Sequence, residues 1–200
     1  MKRVLCLVFI FFVSIQAFCD EYVISKIKCY DSTFYSCELT FKYNDKEDEY
    51  YIFRSTYSRS YWFTLTPEKL NALRNNLTKV KEWEKVAKDN VVELSKELPD
   101  SVIEVEGTMK SGSDWYYSRF DIPLKFYFMS HMTDEIKSVA LAILGGEKES
   151  TKNKYITIEF EDVTFIDSQI DDFIDAISEE TVKEAILKHE SEKNTADLFN

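Results

Sequence analysis

Alternating apolar and polar residues dominate the chain from residue 22 to residue 65. Leu39, Phe41 and Tyr43 alternate with polar neighbours, a polar block spans 44–49, and apolar residues resume at Tyr50. Alternation with a period of two places successive side chains on opposite faces of a strand, and a polar interruption between two such runs indicates a hairpin. The sequence therefore predicts a series of antiparallel strands with one acidic hairpin loop.

Apolar residues then recur every three or four positions, from Leu70 to Leu98. The preceding residues, Thr-Pro-Glu at 66–68, combine an N-cap residue, a proline suited to the first turn and an acid at the positive end of the helix dipole. A helix is predicted to begin at Pro67, and it has two candidate ends, near Asn90 or near Leu98. The apolar stripe favours a helix packed on a sheet over an intermolecular coiled coil.

The second half of the chain mixes both kinds of pattern. Short alternating runs predict strands, glycine-rich tracts predict turns, and apolar residues spaced by three or four after capping residues predict helices. The predicted strands cover 102–106, 115–120, 124–129 and 155–160, the turns lie at Gly107 and 110–113, and the helices cover 133–144, 167–177 and 178–189. Residues 191–200 are predicted to fray.

This order of elements predicts a single α+β domain over residues 20–190. Its sheet is expected to be mostly antiparallel, with the helices packed on one side and one long helix beginning near Pro67. Residues 63–77 and 163–177 each pair a strand end with a capped helix. That similarity fits a weak internal repeat and equally fits the common form of strand-to-helix joints.

The N-terminus has the three parts of a secretory signal peptide. Lys2 and Arg3 precede an unbroken apolar run over residues 4–13, and small residues follow within the next few positions. The run is shorter than the roughly 20 residues that span a bilayer, and no later segment approaches that length. The sequence therefore predicts a signal peptide over residues 1–19, export to the periplasm, cell surface or medium, and no transmembrane helix after its removal.

Four cysteines bear on this processing. Cys6 lies in the predicted signal peptide, and cleavage after residue 17 or after Cys19 fits the small-residue pattern. A lipid anchor on Cys19 is the alternative, and it is disfavoured because the bulky Phe18 precedes that cysteine. Cys29 and Cys37 flank a turn-like segment, which predicts a disulfide between them in an oxidising compartment.

Composition narrows the classes of function. The formal net charge is −11, which makes nucleic acid an unexpected partner because affinity for phosphates needs a basic face. His131 and His189 lie far apart in sequence and outside any zinc-binding spacing, so neither a metal site nor a cofactor is predicted. Only four glycines occur, and the Gly-x-Ser-x-Gly motif of serine hydrolases is missing, which favours a non-enzymatic role.

Aromatic residues are concentrated in two segments, 50–63 and 115–128. Neighbouring residues on a strand face opposite sides, so part of each segment is expected to point away from the core. Tyrosine and tryptophan favour contact surfaces, and the candidate binding residues are Tyr61, Trp62, Trp115, Tyr116 and Tyr117. The leading hypothesis is a binding protein for a protein or cell-envelope component. The alternatives are a hydrolase using a carboxylate pair and a structural protein assembling through a helix over 67–98.

Overall fold

The computed structural model describes residues 21–133 and 135–197, which contain twelve strands and three helices. The predicted signal peptide, including Cys6 and Cys19, and the predicted mature start at Asp20 lie outside the described residues. The strands are β1 (Glu21–Asp31), β2 (Ser36–Asn44), β3 (Glu49–Ser55), β4 (Arg59–Leu65), β5 (Leu94–Glu97), β6 (Ile103–Ser111), β7 (Asp114–Tyr117), β8 (Ile122–Met132), β9 (Lys137–Leu144), β10 (Glu147–Glu149), β11 (Thr157–Glu159) and β12 (Val163–Ile166). The helices are α1 (Pro67–Asn90), α2 (Ser168–Ala176) and α3 (Glu179–Asp197).

Ten strands form one antiparallel sheet in the order β5-β8-β9-β12-β1-β2-β3-β4-β6-β7. Strand β6 also pairs with β8, with Ile103 opposite Leu124 and Val105 opposite Ile122. That pairing closes the eight strands from β8 round to β6 into a barrel, with β5 and β7 attached to it. The predicted α+β class and antiparallel sheet are confirmed. The sequence does not predict this closure. It depends on β6, which pairs with three strands, β4, β7 and β8.

One face of the barrel strands is buried throughout. The cross-strand register places apolar partners opposite each other, as with Ile27 and Leu39 or Phe41 and Ile52. The buried residues of this inner face include Ile27, Leu39, Phe41, Ile52, Phe63, Leu65, Val105, Leu124, Phe126, Phe128, Leu141, Ile143, Val163 and Phe165. They form a single core cluster together with buried residues of all three helices.

Helix α1 begins and ends at local signals. The Thr66 hydroxyl accepts a hydrogen bond from the Lys69 backbone N–H at 3.4 Å, as an N-cap does. At the other end Val91, not Asn90, adopts the left-handed conformation and donates its N–H to the Ala87 carbonyl. The earlier of the two predicted ends is therefore correct, and the residues after it form strand β5, which pairs with β8.

The apolar stripe of α1 faces the barrel. Leu70, Leu73, Leu77 and Val80 are buried, and Trp83 meets Phe128 of β8 edge to face with ring centroids 5.8 Å apart. The helix contacts β3, β4, β6, β8 and β9. Because this stripe lies in the core of its own chain, it is not exposed for the coiled coil that assembly through residues 67–98 requires.

Helices α2 and α3 cover the part of the barrel where strand pairing is shortest. Strands β12 and β1 pair only at Tyr30 with Thr164 and Asp31 with Val163. Phe173 of α2 stacks on an inner-face phenylalanine of β12 at 4.6 Å, and α2 contacts β1 as well. Helix α3 packs along β1 and remains helical to Asp197, through most of the segment predicted to fray.

The helix predicted over 133–144 is wrong. Residues 137–144 form β9, which pairs with β8 and β12, and the Thr133 hydroxyl accepts a hydrogen bond from the Ile136 N–H in the turn before it. Apolar residues occupy every position from Val139 to Ile143, a pattern shared by buried helices and strands. These residues form a strand and not a helix because β8 and β12 pair with the two edges of β9.

The turn predicted at Gly107 is also wrong, because this residue lies inside a strand. Gly107 is in the middle of β6, and the turn comes later, at Gly112, whose φ is +60°. A Cβ on Gly107 would lie 2.7 Å from Ile122 Cδ1 and 2.9 Å from Ile158 Cγ2. Glycine is therefore required here by close packing rather than by backbone conformation.

We expect Gly107→Ala to lower the free energy of unfolding by about 1–3 kcal/mol, because the added methyl group overpacks a core without space. Urea unfolding followed by circular dichroism measures the change. Ile122→Val removes the clashing Cδ1 and should restore part of the loss in the double variant.

Gly146→Ala is the matched control, since no atom lies within 4 Å of a Cβ at that position. It should be neutral or stabilising by up to about 1 kcal/mol. Equal stability of Gly107→Ala and the wild type would contradict the packing account.

Candidate functional site

The outer face of β3, β4, β6 and β7 forms an open groove of 340 Å³, and the residues that line it belong to strands and a hairpin loop rather than to α1, α2 or α3. The register aligns its residues, with Trp62 opposite Thr108 and Thr108 opposite Tyr117. We term this surface the aromatic groove. It is lined by Glu21, Glu47, Glu49, Tyr51, Trp62, Thr64, Glu106, Thr108, Trp115 and Tyr117.

Two tryptophans form the centre of the aromatic groove. The rings of Trp62 and Trp115 lie 5.0 Å apart at an angle of 41°, and Phe53 meets Trp62 edge to face at 4.9 Å. Trp115 is 40% exposed and Tyr117 54% exposed. Both residues thus present large apolar surfaces to solvent on a rigid sheet, which is typical of contact surfaces.

Carboxylates surround these rings, and several are held by hydrogen bonds. The hydroxyl oxygen of the buried Tyr51 lies 3.1 Å from Glu47 Oε2 and 3.1 Å from Glu49 Oε2, so its single O–H is shared between the two carboxylates. Trp62 donates its indole N–H to Glu21 at 3.2 Å. Since hydrogen bonds to ionised groups are stronger than neutral ones, they fix the negative charges at defined positions beside the aromatic rings.

A lysine lies beside the groove and shows how this surface holds a cation. Lys42 Nζ forms an ion pair with Glu21 and lies 3.9 Å from the ring centroid of Phe53 and 5.8 Å from that of Trp62. The Lys42 side chain is only 17% exposed. The ammonium group is thus held by a carboxylate and by aromatic faces together, which adds cation–π attraction to the ion pair.

The surroundings of Tyr51 keep its phenol protonated, so that its hydroxyl can donate a hydrogen bond. Burial raises the pKa of the Tyr51 phenol well above its ordinary value, and the charge of Glu49 raises that pKa further. Both effects act in the same direction because ionisation would place a second negative charge in a desolvated site. The phenol therefore stays protonated and holds Glu47 and Glu49 across the neutral pH range.

The structure divides the five predicted binding residues between two faces. Trp62, Trp115 and Tyr117 line the aromatic groove. Tyr61 and Tyr116 point to the opposite face and pack against the core cluster. Alternation along a strand accounts for this division, and their role in binding stays a prediction for the three residues in the groove.

The sequence analysis does not predict the acidic residues of the groove as binding residues. Glu106 joins the groove because it pairs with Thr64, which in turn pairs with Tyr51. The acidic hairpin loop supplies Glu47. Strand alternation marks Glu106 as outward-facing, but only the register across strands places it beside residues distant in sequence.

Cys29 and Cys37 are directly opposite each other on β1 and β2. Their sulfur atoms lie 2.7 Å apart, and both residues are free thiols without a bond between them. Burial raises the pKa of the Cys29 thiol, and the hydrogen bond with Cys37 raises it further. The predicted disulfide remains a prediction, for which the pair is already in position.

Neither histidine lies in a group of potential metal ligands. His131 Nδ1 lies 2.9 Å from a Glu93 carboxylate oxygen, and His189 stacks on Tyr22 with ring centroids 4.0 Å apart. Across residues 21–133 and 135–197, no three or more histidine, cysteine or acidic residues are grouped to hold a metal ion. No helix within the same residues is long and apolar enough to cross a membrane.

Comparison with known proteins gives no match. No family model, no curated protein and no solved structure is significantly similar to this chain. The geometry and the chemistry of the aromatic groove are therefore the basis for assigning a function.

The raised pKa of Tyr51 predicts a loss of stability in alkali. Above the ordinary tyrosine pKa of 10.0 the unfolded chain releases the Tyr51 proton while the folded chain keeps it, so the free energy of unfolding falls as pH rises. The contribution of this residue is up to about 1.4 kcal/mol per pH unit until the folded phenol ionises.

Urea unfolding between about pH 9 and about pH 11 should show a shallower decline for Tyr51→Phe than for the wild type. Tyr57→Phe is the control, because Tyr57 is fully exposed and its replacement should leave the decline unchanged. A decline of the same slope in Tyr51→Phe would show that this phenol is not shifted by its surroundings.

Proposed function

We propose that the protein is an exported, non-enzymatic binding protein that contacts a protein or cell-envelope component through the aromatic groove. The observation that carries this proposal is the convergence of Trp62, Trp115 and Tyr117 on one open surface. The inner face needs none of these three side chains for packing. Tyrosine and tryptophan without a role in the core are typical of residues that anchor a partner.

The carboxylates of the groove support binding rather than hydrolysis. A general acid and a general base act from either side of the reacting bond, and each must lie within hydrogen-bond reach of the proton it transfers. Glu21 is engaged by Trp62 and Lys42, and Glu47 and Glu49 both accept from Tyr51. The groove is moreover open on the outside of the sheet, whereas a hydrolase with a carboxylate pair calls for a cleft that excludes water.

The proposal predicts that binding depends on the two central tryptophans. The processed protein is titrated with defined soluble ligands, namely basic, neutral and acidic peptides and glycan fragments of the cell envelope, while heat is measured by calorimetry. At least one ligand should bind the wild type, and Trp62→Ala with Trp115→Ala should weaken that binding at least about tenfold, as truncation of aromatic anchors does.

Two exposed tyrosines outside the groove provide the matched control. Tyr57→Ala with Tyr155→Ala removes the same number of aromatic side chains from the surface, and it should leave the affinity unchanged. Failure of every ligand to bind, or equal weakening in both double variants, argues against the aromatic groove as the binding surface.

Export and oxidation form a second part of the proposal. The predicted signal peptide leads to an oxidising compartment, and the directly opposed Cys29 and Cys37 need little movement to form a disulfide there. Such a bond would link β1 to β2 on the inner face, far from the aromatic groove along the strands. Cleavage after Cys19 removes Cys6 and Cys19 and leaves Cys29 and Cys37 to pair with each other.

Intact-mass measurement of the protein recovered from its natural compartment tests this part. The mass should correspond to a chain that begins at or close to Asp20, and it should rise by about 2 Da on reduction, as two hydrogen atoms are added. Cys29→Ser should abolish the rise. A lipid adduct on an N-terminal Cys19, or an unchanged mass on reduction, contradicts the soluble, disulfide-bonded form.

A further inference from the structure

We infer that the partner of the aromatic groove is cationic, namely an exposed protein segment carrying lysine or arginine side chains. The inference rests on the proposed function and adds the chemistry of the ligand. Its first support is the charge of the lining, which includes four glutamates, Glu21, Glu47, Glu49 and Glu106. Lys42 at the border of the groove pairs with Glu21, so the acids of the lining outnumber the cations beside them.

The second support is the pairing of acids with aromatic faces. Aromatic rings attract cations through the negative charge of their faces, and a neighbouring carboxylate adds a direct ion pair. Trp62 and Trp115 supply the faces, and Glu106, which is exposed on the adjacent strand, supplies a carboxylate. An uncharged apolar ligand would use the rings but would desolvate the exposed Glu106 without giving its carboxylate an ion-pair partner, which is unfavourable.

The protein's own lysines provide the third support. Lys42 Nζ lies 3.9 Å from the Phe53 ring centroid in an ion pair with Glu21, and Lys110 Nζ lies 5.3 Å from the Trp115 ring centroid. Two ammonium groups of this chain thus already lie over aromatic rings along the border of the groove. An incoming lysine or arginine would repeat the same contact over the exposed faces in the centre.

Size and long-range charge agree with a peptide segment as the occupant. The volume of 340 Å³ is at the lower end of the range of about 300–1,000 Å³ typical of ligand sites, which suits one or two side chains rather than a bulky ligand. The formal net charge of −11 attracts a basic partner from a distance and speeds encounter at low salt.

The test compares four end-blocked eight-residue peptides in which glycine alternates with lysine, arginine, glutamine or glutamate. Binding to the full processed protein is measured by calorimetry and by tryptophan fluorescence at low and at high salt. The lysine and arginine peptides should bind at least about tenfold more tightly than the other two, and the difference should shrink at high salt because the ion pairs are screened.

Two double variants that change the net charge by the same amount, one inside the groove and one outside it, show where the cation binds. Glu47→Gln with Glu106→Gln should weaken binding of the basic peptides by about 2- to 30-fold, as expected for the loss of two surface ion pairs. Glu82→Gln with Glu180→Gln is the control, since both residues are exposed and lie outside the groove. It changes the net charge by the same amount and should have a smaller effect.

The outcomes separate this inference from the function on which it rests. If basic peptides bind no better than the glutamine peptide, or if both pairs of glutamates weaken binding equally, the cationic partner is refuted. If another ligand then binds in a manner that depends on Trp62 and Trp115, the aromatic groove remains a binding surface for different chemistry. If nothing binds in that manner, both proposals fail. Unchanged circular dichroism and unfolding midpoints exclude misfolding as the cause.

Discussion

A closed sheet must fill its own interior, and this requirement determines the rest of the structure. Helix α1 supplies the apolar stripe of Leu70, Leu73, Leu77 and Val80, and the barrel strands supply every second side chain. The helix and the strands therefore bury each other's apolar surface, and either one alone would expose that surface to water. Because the inner face takes up one residue in two, the alternate residues are released from packing and face solvent.

The aromatic groove is a consequence of that division. Tyr61 and Phe63 point inward while Trp62 between them points outward, and Tyr116 is separated in the same way from Trp115 and Tyr117. Core packing explains the inward aromatics completely. The outward tryptophans contribute no comparable burial, and their rings instead meet one another, Lys42 and the carboxylates around the groove. Chemistry at this surface is thus independent of the core that supports it.

Local signals in the sequence predict helix caps and hairpins correctly. They fail where contacts with residues distant in sequence determine the secondary structure. The N-cap at Thr66 and the alternation around Phe41 need only their neighbours, so α1 and the first hairpin are predicted correctly. Residues 137–144 are apolar on both faces and become a strand through partners on either edge. The aromatic character of the groove follows from composition and alternation, whereas its acids come together only through the register of β3, β4 and β6.

The pairing of β12 with β1 covers only two residues, so the free energy of local opening is expected to be lower at this junction than elsewhere in the barrel. Local opening costs least where few backbone hydrogen bonds and few buried contacts must be broken. In this barrel that place is the junction of β12 and β1, which α2 covers, so we expect amides there to exchange with solvent faster than those in β3, β4 and β6. Those three strands share long ladders and the α1 core, and they carry most of the aromatic groove. We therefore expect most of the groove to be ordered before a partner binds, so that binding loses little conformational entropy of the protein.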